Sequence, residues 1–174
     1  MSEVLEKHER LVREFLAREP YCLHPEKDSI RLFQSALAHD SFTDEYNKKA
    51  TVRMESYERL EFLGDAVLEF LVCDEAYHLP QLPSEGAMTN DFKQRAVSNL
   101  KIAEYLRNAG IDVDPYMLVG NSFRAKNGDT INDDMRADVF EALLAAVYLT
   151  YGLDCARRIV SKVITGPLID SMEF

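Results

Sequence analysis

The segment from Tyr57 to Glu69 reads YERLEFLGDAVLE, and it sets Glu58, Glu61, Asp65 and Glu69 into a run otherwise apolar enough for a protein interior. Carboxylates are seldom buried unless they are paired or bound to a cation, so each of these needs either solvent or a role. On a helix turning about 100° per residue, Glu58, Glu61 and Asp65 fall within an arc of roughly 60°. A second segment, RADVFEALLAAVYL, carries Asp138 and Glu141 three apart on one face of an apolar run. If two such helices pack together, the acids meet. Like charges gathered at low dielectric raise one another's pKa and weaken the fold, and a cation among them relieves both effects. Hard divalent ions take oxygen ligands, and Mg²⁺ in particular accepts a few carboxylates while leaving room for waters and a phosphate. The competing reading is that these acids reach solvent or pair with Arg59, Arg95 or Arg136, and spacing alone leaves both open. A di-iron bundle requires two ExxH pairs, whereas the chain has one, Glu75 to His78.

Elements that could position these acids are helical throughout. Apolar residues recur at three and four in VLEKHERLVREFL, SIRLFQSALAH and NLKIAEYLRNAG, the last closing at Gly110. A central helix is predicted over about 53–77, apolar around most of its circumference as if surrounded by others, and broken by HLPQLP before a helix starting near Ser84. Residues 111–131 form the longest loop, with room for a short helical turn, marked by Pro115, Gly120 and Asn127-Gly128. Asn132 caps a helix running to Gly152, with Asp133 and Asp134 in its first turn, and a last helix from Leu153 ends or kinks at Gly166-Pro167. No segment alternates with period two over a strand length, so the predicted class is all-α.

The 174 residues contain no low-complexity tract or linker, which gives a single domain over 1–174. The net charge of -10 argues against a generally nucleic-acid-binding surface while permitting a local positive face. Cys22, Cys73 and Cys155 lie far apart among mostly apolar neighbours, and are expected to be reduced core or near-core thiols rather than zinc ligands. With a charged N-terminus and no run of eighteen apolar residues, the expectation is a cytoplasmic protein with no membrane contact.

ERLEFLGDAVLEF resembles the signature of the ribonuclease III family, endonucleases that cut double-stranded RNA, with nine contiguous positions from Glu58 to Ala66 fitting it. ALAHDSF, EGAMTNDFKQRAVSNLKIAEY and ADVFEALLAAVYL agree in the expected order, so the resemblance covers about residues 31–160. It implies an all-α catalytic domain forming a helical homodimer. Glu61, Asp65, Asp138 and Glu141 match the family's catalytic acids, with Glu61, Asp138 and Glu141 as direct Mg²⁺ ligands and Mn²⁺ as a substitute. Glu58 and Glu85 match accessory acidic positions, and Phe62 matches an aromatic residue that packs into the partner subunit. By the same resemblance the products carry a 5′ phosphate and a 3′ hydroxyl, with short 3′ overhangs.

Some features depart from the family pattern. Tyr57 stands where Asn is frequent, Lys93 where Arg is frequent, and the connection from His39 to Glu58 is longer than in compact bacterial members. His39 and Ser41 match an HxS element that looks structural. Candidate RNA contacts are Lys93, Arg95, Arg124 and Lys126. Most bacterial members continue into a basic double-stranded RNA-binding domain that this sequence lacks, so the expectation is either a trimmed chain or a catalytic domain working alone or with a separate RNA-binding protein. The alternative function is a non-catalytic ribonuclease III-like protein that binds double-stranded RNA or the ribosome. Such domains tend to lose acids from the cluster, which is complete here.

Overall fold

The computed structural model describes residues 3–128 and 130–172. Its longest contact is between two helices, α4 (Glu58–His78) and α9 (Asp133–Tyr151), around which the other elements are laid. Before them come α1 (Glu3–Leu16), α2 (Ile30–Ala36) and α3 (Asp40–Asn47). Between them lie α5 (Glu85–Ala87), a π-helical turn (Met88–Lys93), α6 (Gln94–Val97), α7 (Asn99–Asn108), a 3-10 turn (Asp114–Tyr116) and α8 (Asn121–Asn127). The chain closes with α10 (Leu153–Val160), a second π turn (Ser161–Thr165) and α11 (Gly166–Asp170). Among the described residues there is no strand, only an isolated bridge between Ala38 and Leu118, so the class is all-α. None of the described helices is long and apolar enough to cross a membrane.

Helix α9 is the one enclosed by the rest. Asn132 Oδ1 accepts a hydrogen bond from the Met135 amide at 2.9 Å, Asp133 and Asp134 suit the positive end of the helix, and Gly152 ends it with φ of 87°. Nothing along Ala142–Val147 reaches solvent. These side chains meet Leu68, Leu71 and Val72 of α4, Phe33 of α2, Ile102 and Leu106 of α7, and Ile159 and Val160 of α10 in one core. A smaller cluster of Leu5, Ala38 and Met54, with Phe42, Tyr46 and Leu118 against it, sits under α3.

Several elements differ from the sequence expectation. Helix α4 begins at Glu58, not near Arg53, because Asn47 binds Met54 outside any helix: Met54 N donates to Asn47 Oδ1 and Asn47 Nδ2 to Met54 O, each at 2.9 Å. It is also not surrounded. One face is buried, while Phe62, Phe70 and Tyr77 on another are 81 %, 53 % and 76 % exposed. Cys155 is half-buried against the main core, as a near-core thiol, whereas Cys22 and Cys73 are exposed. At Gly166-Pro167 the last helix does not stop; it passes through the π turn and resumes as α11, with Pro167 in the first turn where its missing amide costs nothing.

Candidate metal centre

Helices α4 and α9 can cross closely because of Gly64. A Cβ built there would stand 1.8 Å from the Glu141 carbonyl oxygen, so no other residue permits this backbone approach. The glycine lies one turn after Glu61 and just before Asp65, and its neighbour across the crossing is Glu141 itself, one turn after Asp138. The close approach is thus what converts two sequence-distant acid pairs into one cluster.

Carboxylate oxygens of Glu61, Asp138 and Glu141 lie within 4.8 Å of one another. Glu141 is 4 % exposed, the only buried acidic residue among the described ones. Burial, reinforced by the charges of Asp65, Asp138, Glu61 and Glu69, pushes its carboxyl up to about 8. Burial followed by the charges of Glu61 and Asp134 pushes Asp138 up to about 6, and burial with Asp65 and Glu58 raises Glu61. The basic residues that could have neutralised the cluster are engaged elsewhere. Arg59 pairs with Glu55 at 2.8 Å, Arg136 holds Asp114 through both oxygens at 2.9 and 2.7 Å and Asp133 at 2.9 Å, and Arg95 reaches Ser171 Oγ at 3.4 Å. Among the described residues, none of these three arginines pairs with Glu61, Asp138 or Glu141.

The donor set fits a hard divalent cation: three carboxylates, no nitrogen or sulfur, and a charge excess that a cation relieves. His78 stands apart at the end of α4, bonded to the Asp74 carbonyl at 2.7 Å, so the ExxH pair contributes nothing here. Asp65 is exposed and outside the close triple, though its charge acts on Glu141 and Glu61. Glu58 accepts a hydrogen bond from Ser56 Oγ at 3.0 Å and adds to the field on Glu61. Glu85 opens α5, exposed and outside the triple.

Two contributors escaped the sequence reading. Lys93, in the π turn, binds Glu69 at 3.1 Å, so this candidate RNA contact is tied to the rim of the acidic site. Tyr57, buried just before α4, has its phenol raised by burial and then by Asp138, Asp40, Glu61 and Glu58, which places its hydroxyl in the field of the cluster. The Glu69 pairing had no sequence signal, because it needs α4 and the π turn to be neighbours. Gly64 had one, a lone glycine inside an apolar helix.

His39 and Ser41 do structural work beside this site. His39 Nδ1 accepts from the Ser41 amide at 3.2 Å, capping α3, and Ser41 Oγ accepts from the Gly120 amide at 3.0 Å. Glu45 accepts from the amides of Asn121 and Ser122 at 3.0 and 2.7 Å. Together they moor α8, which carries the exposed Arg124 and Lys126. Phe62 projects from the α4 face opposite the core.

Residues 29–168 match the sequence profile of the Ribonuclease-III-like family. The chain is 33 % identical over 148 residues to Ribonuclease 3 of Phytoplasma mali, covering 83 % of this chain and 61 % of that protein. It is 36 % identical over 137 residues to Ribonuclease 3 of Staphylococcus aureus, covering 78 % and 53 %. It therefore spans about half to three fifths of the curated relatives it matches. Among solved structures, the nuclease domain of ribonuclease III from Campylobacter jejuni superposes with a TM-score of 0.64 at 23 % identity, over 91 % of this chain and 97 % of that one. That structure was described for flexibility in its dimer-forming region. With the profile covering most of its length and the fold shared with a nuclease domain, the chain belongs to the ribonuclease-III-like family.

Proposed function

We propose that this chain is the catalytic unit of a Mg²⁺-dependent endoribonuclease, with Mn²⁺ as a substitute, that cuts double-stranded RNA as a homodimer in the cytoplasm. The observation that carries the proposal is the triple of Glu61, Asp138 and Glu141 within 4.8 Å, with no salt bridge to a basic side chain among the described residues. Without a cation this cluster repels the phosphate it would have to approach. Glu61, Asp138 and Glu141 would hold the ion, and Asp65, one turn further along α4, orients water around it. The bound ion supplies polarisation of the scissile phosphate, a more acidic water and charge for the departing 3′ oxygen. That chemistry leaves a 5′ phosphate and a 3′ hydroxyl.

The chain's own residues handle geometry. Gly64 fixes the separation of the two acid pairs, Lys93 holds Glu69 at the rim, and Ser41 with Glu45 moors α8, from which Arg124 and Lys126 address the RNA backbone. Arg95 is a further cation on the side of α6. Two sites in a homodimer joined through the Phe62 face would cut both strands and set the short 3′ overhang. With a net charge of -10, affinity for RNA should be modest and fall steeply with salt.

The test is a gel assay of the purified protein on long double-stranded RNA beside single-stranded RNA, with Mg²⁺ and with EDTA, at low salt. Shortening of the duplex alone, and only with Mg²⁺, is the expected result. Duplex binding without cleavage in any divalent ion would sink the catalytic reading and favour a non-cutting RNA-binding domain.

A further inference from the structure

A groove of about 1120 Å³ runs between the end of α3, the start of α2 and the segment 117–124, away from the acidic triple. Its volume exceeds the ~300–1,000 Å³ of ordinary small-molecule pockets, which suits a short polymer segment better than one compact ligand. The floor carries Phe42 and Tyr46, one turn apart on α3, with ring centroids 5.8 Å apart and planes at 14°. Both are half-buried, packed against Leu5, Ala38 and Met54, so the stacked pair is a fixed platform.

Arg31 from α2, Lys49 just past α3 and Arg124 from α8 line the same groove. Three separate elements thus bring cations to one place on a chain whose net charge is -10. Glu45 is the single acid among the described lining residues, and its two oxygens accept from the amides of Asn121 and Ser122. Three basic side chains to one acid above an aromatic floor is the combination that holds phosphates and unstacked bases of a single strand.

Phe123, next to Arg124, has its ring 5.0 Å from that of His39, and His39 is 5.8 Å from Tyr57 at the start of α4, so packed rings join the wall of the groove to the helix that carries Glu61.

We propose that this groove is a docking site for a single-stranded RNA segment adjoining the duplex, bases on Phe42 and Tyr46 and phosphates on Arg31, Lys49 and Arg124. The groove then selects substrates that carry an unpaired flank beside the cleavage point. This rests on the RNA-cleaving function proposed above.

The experiment is fluorescence anisotropy in Mg²⁺ with Glu141→Gln protein, which holds RNA without cutting it. Two labelled probes are compared: a blunt duplex, and the same duplex with an unpaired tail of about six nucleotides. The groove predicts about tenfold tighter binding of the tailed probe, an advantage that Lys49→Glu and Tyr46→Leu each remove. Taking the ratio of the two affinities cancels any general effect of a variant, and circular dichroism checks that both remain folded. Equal affinities for the two probes, or an advantage that survives both variants, overturns the proposal. So does a shift of Lys49→Glu to a smaller species in sedimentation, which assigns the groove to a second copy of the chain. No binding of the blunt duplex together with binding of the free tail oligonucleotide instead overturns the duplex reading and leaves the groove standing; binding of none overturns both.

Discussion

Glu141 is where stability and chemistry pull apart. Its carboxyl is raised to about 8 by burial and by the acids around it, and Asp138 to about 6. A carboxyl with a folded-state pKa above its unfolded value keeps its proton longer in the native state, so across that window stability falls as pH rises. We therefore expect the metal-free protein to melt at progressively lower temperature between about pH 5 and about pH 8, the upper part of the loss belonging to Glu141. If the proposed function holds, saturating Mg²⁺ stabilises only the native arrangement and should restore the Tm at the alkaline end. A thermal scan across pH with EDTA and with Mg²⁺ checks both, and a Tm that climbs towards pH 8 in EDTA contradicts the sign. Glu141→Gln keeps the shape and removes the charge. At about pH 8 without metal it should be more stable than the parent by a few degrees, since about 1 kcal/mol moves Tm by about 2–4 °C at this size. Cleavage should drop by more than about a hundredfold, because even partners one shell out from a metal cost about 10–100-fold. Full activity in that variant removes Glu141 from the site.

The crossing of α4 and α9 sets the accuracy of that site, and Gly64 sets the crossing. Gly64→Ala forces a carbon into the Glu141 carbonyl, and since the obstacle is backbone, the helices must part. We expect a loss of roughly 3 kcal/mol or more and weakened Mn²⁺ binding by calorimetry, the two moving together. Unchanged metal affinity in a folded Gly64→Ala protein would show that the triple does not depend on the close approach. Much at this scale was legible in the residues. The Asn132 cap, the stops at Gly110 and Gly152, and the acids sharing one helix face all follow from local spacing and local hydrogen bonds. What was not legible depends on residues remote in sequence. The late start of α4 follows from the Asn47–Met54 bonds, the mooring of α8 from Ser41 and Glu45, and the tie of Lys93 to Glu69 from the π turn lying beside α4. Cys22 and Cys73 were misjudged because apolar neighbours in sequence say little about which face a side chain takes, and Cys73 lies on the exposed face of α4, whereas Cys155 packs against the core as expected.

At the scale of the whole molecule, that exposed face is the feature a lone chain does not explain. Helix α4 presents Phe62, Phe70 and Tyr77 to solvent at 81 %, 53 % and 76 % exposure, spaced eight and seven residues apart and so aligned along one side. Scattered exposed apolar residues are ordinary, but an aligned aromatic series on one helix marks a contact surface. The homodimer proposed above would cover it, because a twofold axis lets the same stripe face itself, and two acidic sites brought together by that axis could address the two strands of one duplex. Phe62 sits in the same turn as Glu61, so the contact and the metal centre are coupled through a single stretch of backbone. Truncating an aromatic anchor near the centre of an interface commonly costs about 2 kcal/mol or more, close to thirtyfold in affinity. Phe62→Ala should therefore shift sedimentation towards monomer at micromolar concentration while leaving the helical circular dichroism intact, because this side chain adds almost nothing to its own core. On the proposed function, loss of the dimer makes the two cuts on a duplex independent events, so at low concentration nicked duplex should accumulate where the parent should release double-cut fragments. An unchanged sedimentation profile removes Phe62 from the interface, and a monomeric variant that still releases paired cuts shows that one chain suffices for both strands.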